Sequence, residues 1–128
     1  MGSTTAERRL IGIVDDEDSV RIALSRLCKA YGMEPCTFAT PYQLFEALWN
    51  GPRPDCLILD VQMPGFNGLD AQAWLRDKGI GIPTIMITGR EDEQMRARAL
   101  SLGAHAYLCK PMDAQVLLGA IRNAIDPA

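Results

Sequence analysis

Four short apolar runs in this 128-residue chain each stop at a polar residue. Asp15 and Asp16 close LIGIVDD, Asp60 closes CLILD, Thr88 closes PTIMIT and Lys110 closes AYLCK. Between these runs the apolar residues recur at helical spacing. Short apolar strands alternating with amphipathic helices specify a parallel α/β sheet. Such sheets bind ligands beyond the carboxyl ends of their strands, where the strand order reverses. Three carboxylates, a hydroxyl and an ammonium should therefore converge on one rim. That set suits a divalent cation and a phosphoryl group.

The pattern predicts five strands and five helices in strict alternation. Residues 10–14 form the first strand. Val20, Ala23, Leu24, Leu27 and Tyr31 mark a helix from Ser19, stopped by Gly32. Residues 35–38 make a second strand. Thr40-Pro41-Tyr42-Gln43 opens a helix as a capping box with proline at its first position, and Gly51-Pro52-Arg53-Pro54 follows its end at Asn50. Residues 56–60 are apolar until the aspartate, as in a strand covered on both faces. A Pro- and Gly-rich loop over 61–68 leads to a helix over 69–78, a strand over 83–88 and a helix over 92–102, stopped by Gly103. A strand over 106–109 and a helix over 113–125 complete a (βα)5 doubly wound fold. Its parallel sheet takes the order 2-1-3-4-5 with right-handed crossovers and helices on both faces.

In that order the first strand neighbours the third, so Asp15 and Asp16 face Asp60. Thr88 lies one strand spacing from Asp60, about 4.8 Å, and Lys110 two, roughly 10 Å, which only a long side chain can span. Three carboxylates this close repel, and a hard cation such as Mg²⁺ relieves them. A carboxylate can also act as a nucleophile and carry phosphate as an aspartyl-phosphate. Each element alone has an ordinary reading: a helix cap, a turn residue, a strand threonine, a surface lysine. Four of them at four strand ends, in this order, carry the weight together.

Composition narrows the class. Hydrophobic residues make up 48% and charged residues 23%, ordinary values for one globular domain that buries its own core. A net charge of −3 argues against direct nucleic-acid binding by this domain. Cys28, Cys36, Cys56 and Cys109 are irregularly spaced, consistent with free thiols in a reducing compartment. MGSTTAERR has no apolar stretch of a signal peptide, and no run is long enough to span a bilayer. The expected location is the cytoplasm, with no membrane association. Residues 1–9 read as a flexible polar arm and 10–128 as the domain.

The motifs IVDDED, LILDVQMPGFNGLD, ITG and CKP, at these intervals, resemble the receiver domain of two-component response regulators, the CheY-like fold. The similarity runs from about Leu10 to Ile125. The resemblance implies that Asp60 is the phosphoacceptor, supplied by a phosphohistidine on a sensor histidine kinase or phosphotransfer protein. Asp16, Asp60 and the Gln62 backbone carbonyl would hold Mg²⁺, with Asp15 acting mainly through water. Lys110 would pair with the phosphoryl group, aimed by a cis bond before Pro111. Thr88 would move toward that group and Tyr107 would change rotamer with it, altering the face made by the fourth helix, fifth strand and fifth helix. The first helix would dock the kinase.

Gln62 and Arg90 occupy the two positions that tune phosphoryl lifetime in the family, and Arg90 is expected near the phosphoryl oxygens, controlling water access. Met112 follows CKP, which leaves open the mode of a homodimer through that same face. No output domain follows Ala128, so the chain reads as a receiver standing alone or cut from a longer regulator that acts on an output domain or target protein.

Competing readings are weaker. A scaffold that binds partners without phosphorylation would not need Asp15, Asp16, Asp60, Thr88 and Lys110 together. A D-x-D phosphohydrolase needs a second acid where Gln62 stands, and no nucleotide-binding loop is present. The expected chemistry is limited to self-phosphorylation and autodephosphorylation; the chain is not expected to be an enzyme. His105 reads as a loop residue, Trp49 and Trp74 as core or rim, Arg96 and Arg98 as a solvated face, and Met95, Ala99 and Leu102 as an inward stripe.

Overall fold

The computed structural model describes residues 8–126. Five strands, β1 (Leu10–Val14), β2 (Glu34–Phe38), β3 (Cys56–Asp60), β4 (Thr84–Thr88) and β5 (Ala106–Cys109), alternate with five helices. These are α1 (Asp18–Ala30), α2 (Pro41–Asn50), α3 (Gly68–Asp77), α4 (Glu93–Ser101) and α5 (Ala114–Ile125). All strands are parallel, in the order β2-β1-β3-β4-β5.

The alternating side chains of the central strands explain the two-sided packing. Val14, Leu57, Leu59 and Met86 point to one face, with Leu44, Leu48, Ala71, Leu75 and Ala99 of α2, α3 and α4. Ile11, Ile13, Ile58, Ile85 and Ile87 point to the other, with Cys28 of α1 and Leu117 and Ile121 of α5. Every residue of β3 and β4 is buried, whereas the edge strands β2 and β5 are partly open. Full burial of a leucine or isoleucine contributes about 1.5–3 kcal/mol, so the three central strands dominate the core. Gly12 has no room for a side chain, since a Cβ there would stand 2.5 Å from the Leu57 side chain.

Most boundaries fall where the periodicity puts them. Gly32 and Gly103 end their helices with φ of +79° and +101°. Thr40 accepts from the Gln43 backbone N–H at 3.3 Å, and the Gln43 side chain accepts from Ala39 rather than from Thr40. Helix α3 starts one residue before its expected start, because Asn67 and Asp70 form a reciprocal capping box. Strand β4 starts at Thr84 rather than at Pro83, although the Pro83 carbonyl accepts from Leu57 at 2.9 Å.

Residues 1–7 of the expected arm lie outside the described residues. The remaining two are tied to the sheet: the Arg9 carbonyl accepts from Glu34 at 2.8 Å, and Arg8 pairs with Glu34 at 3.2 Å. The four cysteines are unpaired, and burial pushes the Cys28 thiol up to about 11 and that of Cys56 up to about 12. The Cys28 and Cys56 thiols stay protonated and inert at neutral pH. Among the described residues no helix is long and apolar enough to cross a membrane.

Candidate functional site

The sheet register brings four strand ends to one rim. Val14 pairs with Leu59, Asp60 with Ile87, and Thr88 with Cys109. The residues that follow or end these strands are therefore side by side. Asp15, Asp16 and Asp60 each present a carboxylate oxygen, and these oxygens lie within 4.8 Å of one another. Lys110 reaches in from the far strand end. Its Nζ stands 3.3 Å from Asp15 Oδ2, 3.7 Å from Asp60 Oδ1 and 4.0 Å from Glu17 Oε1. A cis bond joins Lys110 to Pro111.

The two inner carboxylates are buried and hydrogen-bonded. Asp15 is fully buried, accepts from the Glu17 backbone N–H at 2.9 Å and receives Lys110. Asp60 is 3% exposed and accepts from the Gln62 backbone N–H at 3.2 Å. Burial pushes the Asp60 carboxyl up to about 6, and the Asp15 charge pushes the same way. Lys110 and the Gln62 N–H oppose them without cancelling them. Asp16, by contrast, is exposed. The rim forms an open cavity of about 380 Å³ lined by Asp16, Glu17, Asp60, Gln62, Gly89 and Lys110.

The donor set answers the expectation of a cation. Closely spaced carboxylate oxygens, two of them on buried groups, are what a hard divalent ion stabilises. The Gln62 side chain is already engaged, since its Oε1 accepts from the Gly89 N–H at 3.2 Å.

Not every expected residue joins the cleft. Thr88 is fully buried, and its hydroxyl donates to the Arg90 carbonyl and accepts the Arg90 N–H, both at 3.2 Å. Thr88 and Arg90 are outside the cavity lining. Tyr107 is turned inward, 3% exposed, and its hydroxyl has no hydrogen-bond partner among the described residues. The nearby Thr88 hydroxyl gives its proton to the Arg90 carbonyl and accepts one N–H, which leaves its second lone pair open to the Tyr107 O–H. Burial holds the Tyr107 phenol above its usual range, with Thr88 opposing.

Three participants escape a reading of the sequence. Gly89 holds Gln62 through its backbone. Gly68 packs so closely on the end of β3 that a Cβ there would run into the Asp60 carbonyl oxygen. Arg96 is exposed, as a residue of a solvated face should be, and its guanidinium also donates to the Tyr107 carbonyl at 3.2 Å and stands 5.9 Å from that ring. Only the G-x-x-G spacing around Phe66 and Asn67 hinted at the second of these. Trp49, expected in the core or rim, is 87% exposed because α2 buries Pro41, Leu44 and Leu48 on another side. His105 is a loop residue whose Nε2 lies 3.2 Å from Asn123 Oδ1. Ala99 is buried, with Met95 and Leu102 packed against the same core.

Comparison with known proteins agrees with this geometry. The sequence model of the response regulator receiver domain matches residues 11–122. The response regulator protein TodT of Pseudomonas putida is 39% identical over 116 residues, which cover 91% of this chain and 51% of TodT. The DNA-binding transcriptional regulator NtrC of Escherichia coli is 31% identical over 119 residues, 93% of this chain and 25% of NtrC. A crystal structure of a response regulator receiver protein from Burkholderia phymatum superposes with a TM-score of 0.83 at 36% identity, covering 92% of this chain and 95% of that one. The chain spans about half the length of curated relatives such as TodT. A matching family model over most of the chain, relatives of this identity and a five-stranded sheet of this order lead to one conclusion: the chain belongs to the response regulator receiver domain family, the signalling module of two-component systems.

Proposed function

We propose that Asp60 accepts a phosphoryl group from a phosphohistidine on a sensor histidine kinase or phosphotransfer protein, and that residues 10–128 form the unit that does so. The observation that carries this reading is the position of Lys110, whose ammonium stands between Asp15 and Asp60 at hydrogen-bonding and ion-pair distance. A cleft that already balances buried carboxylates against a fixed cation is suited to a group that arrives with added negative charge.

An Asp60 carboxylate oxygen attacks phosphorus in line with the departing nitrogen. The P–O bond forms, the P–N bond to the donor histidine breaks, and the imidazole leaves with the electron pair. Asp16, Asp60 and the Gln62 carbonyl would hold Mg²⁺, with Asp15 acting on it through water. The bound cation would neutralise carboxylates and phosphoryl oxygens together. Lys110 then exchanges its contact with Asp60 for one with a phosphoryl oxygen. On this reading the chemistry of the domain is its own phosphorylation and autodephosphorylation at Asp60. Arg90 controls water access to the phosphoryl group together with Gln62. Equal dephosphorylation rates for the wild type and Arg90→Ala would remove Arg90 from that role.

The response passes through Thr88 and Tyr107. A phosphoryl oxygen competes for the Thr88 hydroxyl, which leaves its Arg90 partner. Tyr107, buried with its own hydroxyl unpaired, follows that rearrangement and reshapes the α4-β5-α5 face. The module acts by shifting a pre-existing equilibrium, so a bias of a few kcal/mol is enough. That face serves an output domain, a target protein or a homodimer, in the cytoplasm, and this domain itself makes no nucleic-acid contact.

The test is intact mass after incubation with acetyl phosphate, with and without Mg²⁺, beside Asp60→Asn. One phosphoryl adduct that requires both Mg²⁺ and Asp60 is the expected result. The absence of any adduct would favour a scaffold that works without phosphorylation.

A further inference from the structure

Tyr42 and Trp49 are the most exposed large apolar side chains among the described residues, 63% and 87% open to solvent. Both belong to α2, seven residues apart, with Glu46 between them at the i+4 and i−3 positions. Seven residues rise about 10 Å, close to two turns, so the three side chains make one outward stripe. The stripe has a fixed base. The Tyr42 ring centroid lies 5.5 Å from that of Phe66, and Phe45 beside it stacks on Trp74 at 3.9 Å.

The chain covers one of these aromatics with its own cation: Lys78 Nζ lies 6.0 Å from the Trp74 ring. Among the described residues no cation covers Tyr42 or Trp49, and Glu46 has no ion-pair partner. Aromatic faces attract ammonium and guanidinium groups, and a carboxylate within the same reach adds a directed, charge-assisted bond. Exposed tryptophan and tyrosine are also the side chains that anchor protein contacts.

We propose that the Tyr42–Glu46–Trp49 stripe of α2 docks a lysine- or arginine-bearing segment of a partner protein. The cationic side chains lie over the two rings and bond to Glu46. The chain's net charge of −3 favours the approach of such a segment. The stripe shares no residue with the cleft around Asp60, so both can be occupied together.

The two tryptophans of the chain give the readout. The ¹⁵N-labelled full chain is titrated with an octapeptide of alternating arginine and glycine, and with a glutamate–glycine octapeptide as control. The Trp49 indole signal, assigned with Trp49→Phe, should move saturably with the arginine peptide only, while that of Trp74 stays in place. Glu46→Gln is an exposed change that leaves the fold and the Asp60 adduct intact; Tyr42→Ala also removes a ring resting on Phe66, so its binding is compared at an unchanged denaturation midpoint and adduct yield. Each should weaken binding about two- to five-fold. A still Trp49 signal, or equal affinity in both variants, would overturn the proposal. So would a peptide that moves only the amides around Asp16 and Asp60, which would place it in the acidic cleft. A concentration-dependent Trp49 shift without peptide, with a doubled mass in sedimentation, would replace the basic partner with a second copy of this chain.

Discussion

Gly68 lies flat against the backbone of Asp60, with room for a hydrogen and nothing larger: a Cβ there would run into the Asp60 carbonyl oxygen and stand 3.0 Å from its carbonyl carbon. The contact holds the first turn of α3 against the end of β3, and so fixes the backbone that aims the Asp60 carboxylate. Gly68→Ala should cost about 1–3 kcal/mol, the usual penalty of overpacking a tight site. Urea denaturation measures that loss, and adduct formation with acetyl phosphate should slow beside it. A midpoint equal to that of the wild type would show that the loop yields at no cost.

The raised Asp60 carboxyl gives stability a pH signature in metal-free protein. Its folded value of about 6 exceeds the ordinary 3.8. Asp60 therefore contributes stability that is present below about pH 4 and is lost as pH rises through about 6. Asp60→Asn carries no such loss. With chelator present, the variant should match the wild type near pH 4 and exceed it above pH 7 by about 1–3 kcal/mol. Chemical denaturation at three pH values checks this, and a pH-independent difference would contradict it.

Lys110 and a divalent ion compete for the same oxygens. Removing the ammonium with Lys110→Met takes away the cation at 3.3 Å from Asp15 and 3.7 Å from Asp60. The variant should bind Mg²⁺ more tightly, about three- to ten-fold, while its metal-free form loses about 1–3 kcal/mol from carboxylates left without their cation. Mg²⁺ titration followed by calorimetry, with denaturation in chelator, separates the two effects.

The unpaired Tyr107 hydroxyl is a cost that the fold carries. Deleting it with Tyr107→Phe keeps the ring and removes a buried group with no partner. The variant should be as stable as the wild type or more stable by about 1 kcal/mol, against the usual destabilising trend of core substitutions. A loss of stability would mean that the hydroxyl finds a bond in solution.

Strand ends were the legible part of this chain. Each central strand is buried on both faces, so apart from Thr84, whose hydroxyl is bonded to Gln72, its residues are apolar until the rim, and Asp15, Asp60 and Thr88 announce where the rim begins. What side chains do beyond the rim depends on packing between distant elements, and the sequence carries no local mark of it. Arg96 is the exposed helical arginine it looks like, and nothing in the sequence marks its bond to the Tyr107 carbonyl on β5. Trp49 looks like core, yet three smaller residues of α2 fill that role. The asparagine-to-aspartate spacing at Asn67 and Asp70 did contain the α3 cap, one residue ahead of where the apolar periodicity starts.

Helix α4 buries only one side chain completely, Ala99. Its far end is fastened: the Leu102 carbonyl accepts from Gln72 at 3.1 Å, and Gln72 is itself held by the Thr84 hydroxyl at 2.5 Å. Its near end is capped by its own Asp92 and leans on the core through Met95. Between these ends Arg96 ties the first half of the helix to β5 through the Tyr107 carbonyl. Helix α4 therefore cannot shift against the sheet without breaking either the Gln72 bonds or the Arg96 bond, which joins its position to that of Tyr107.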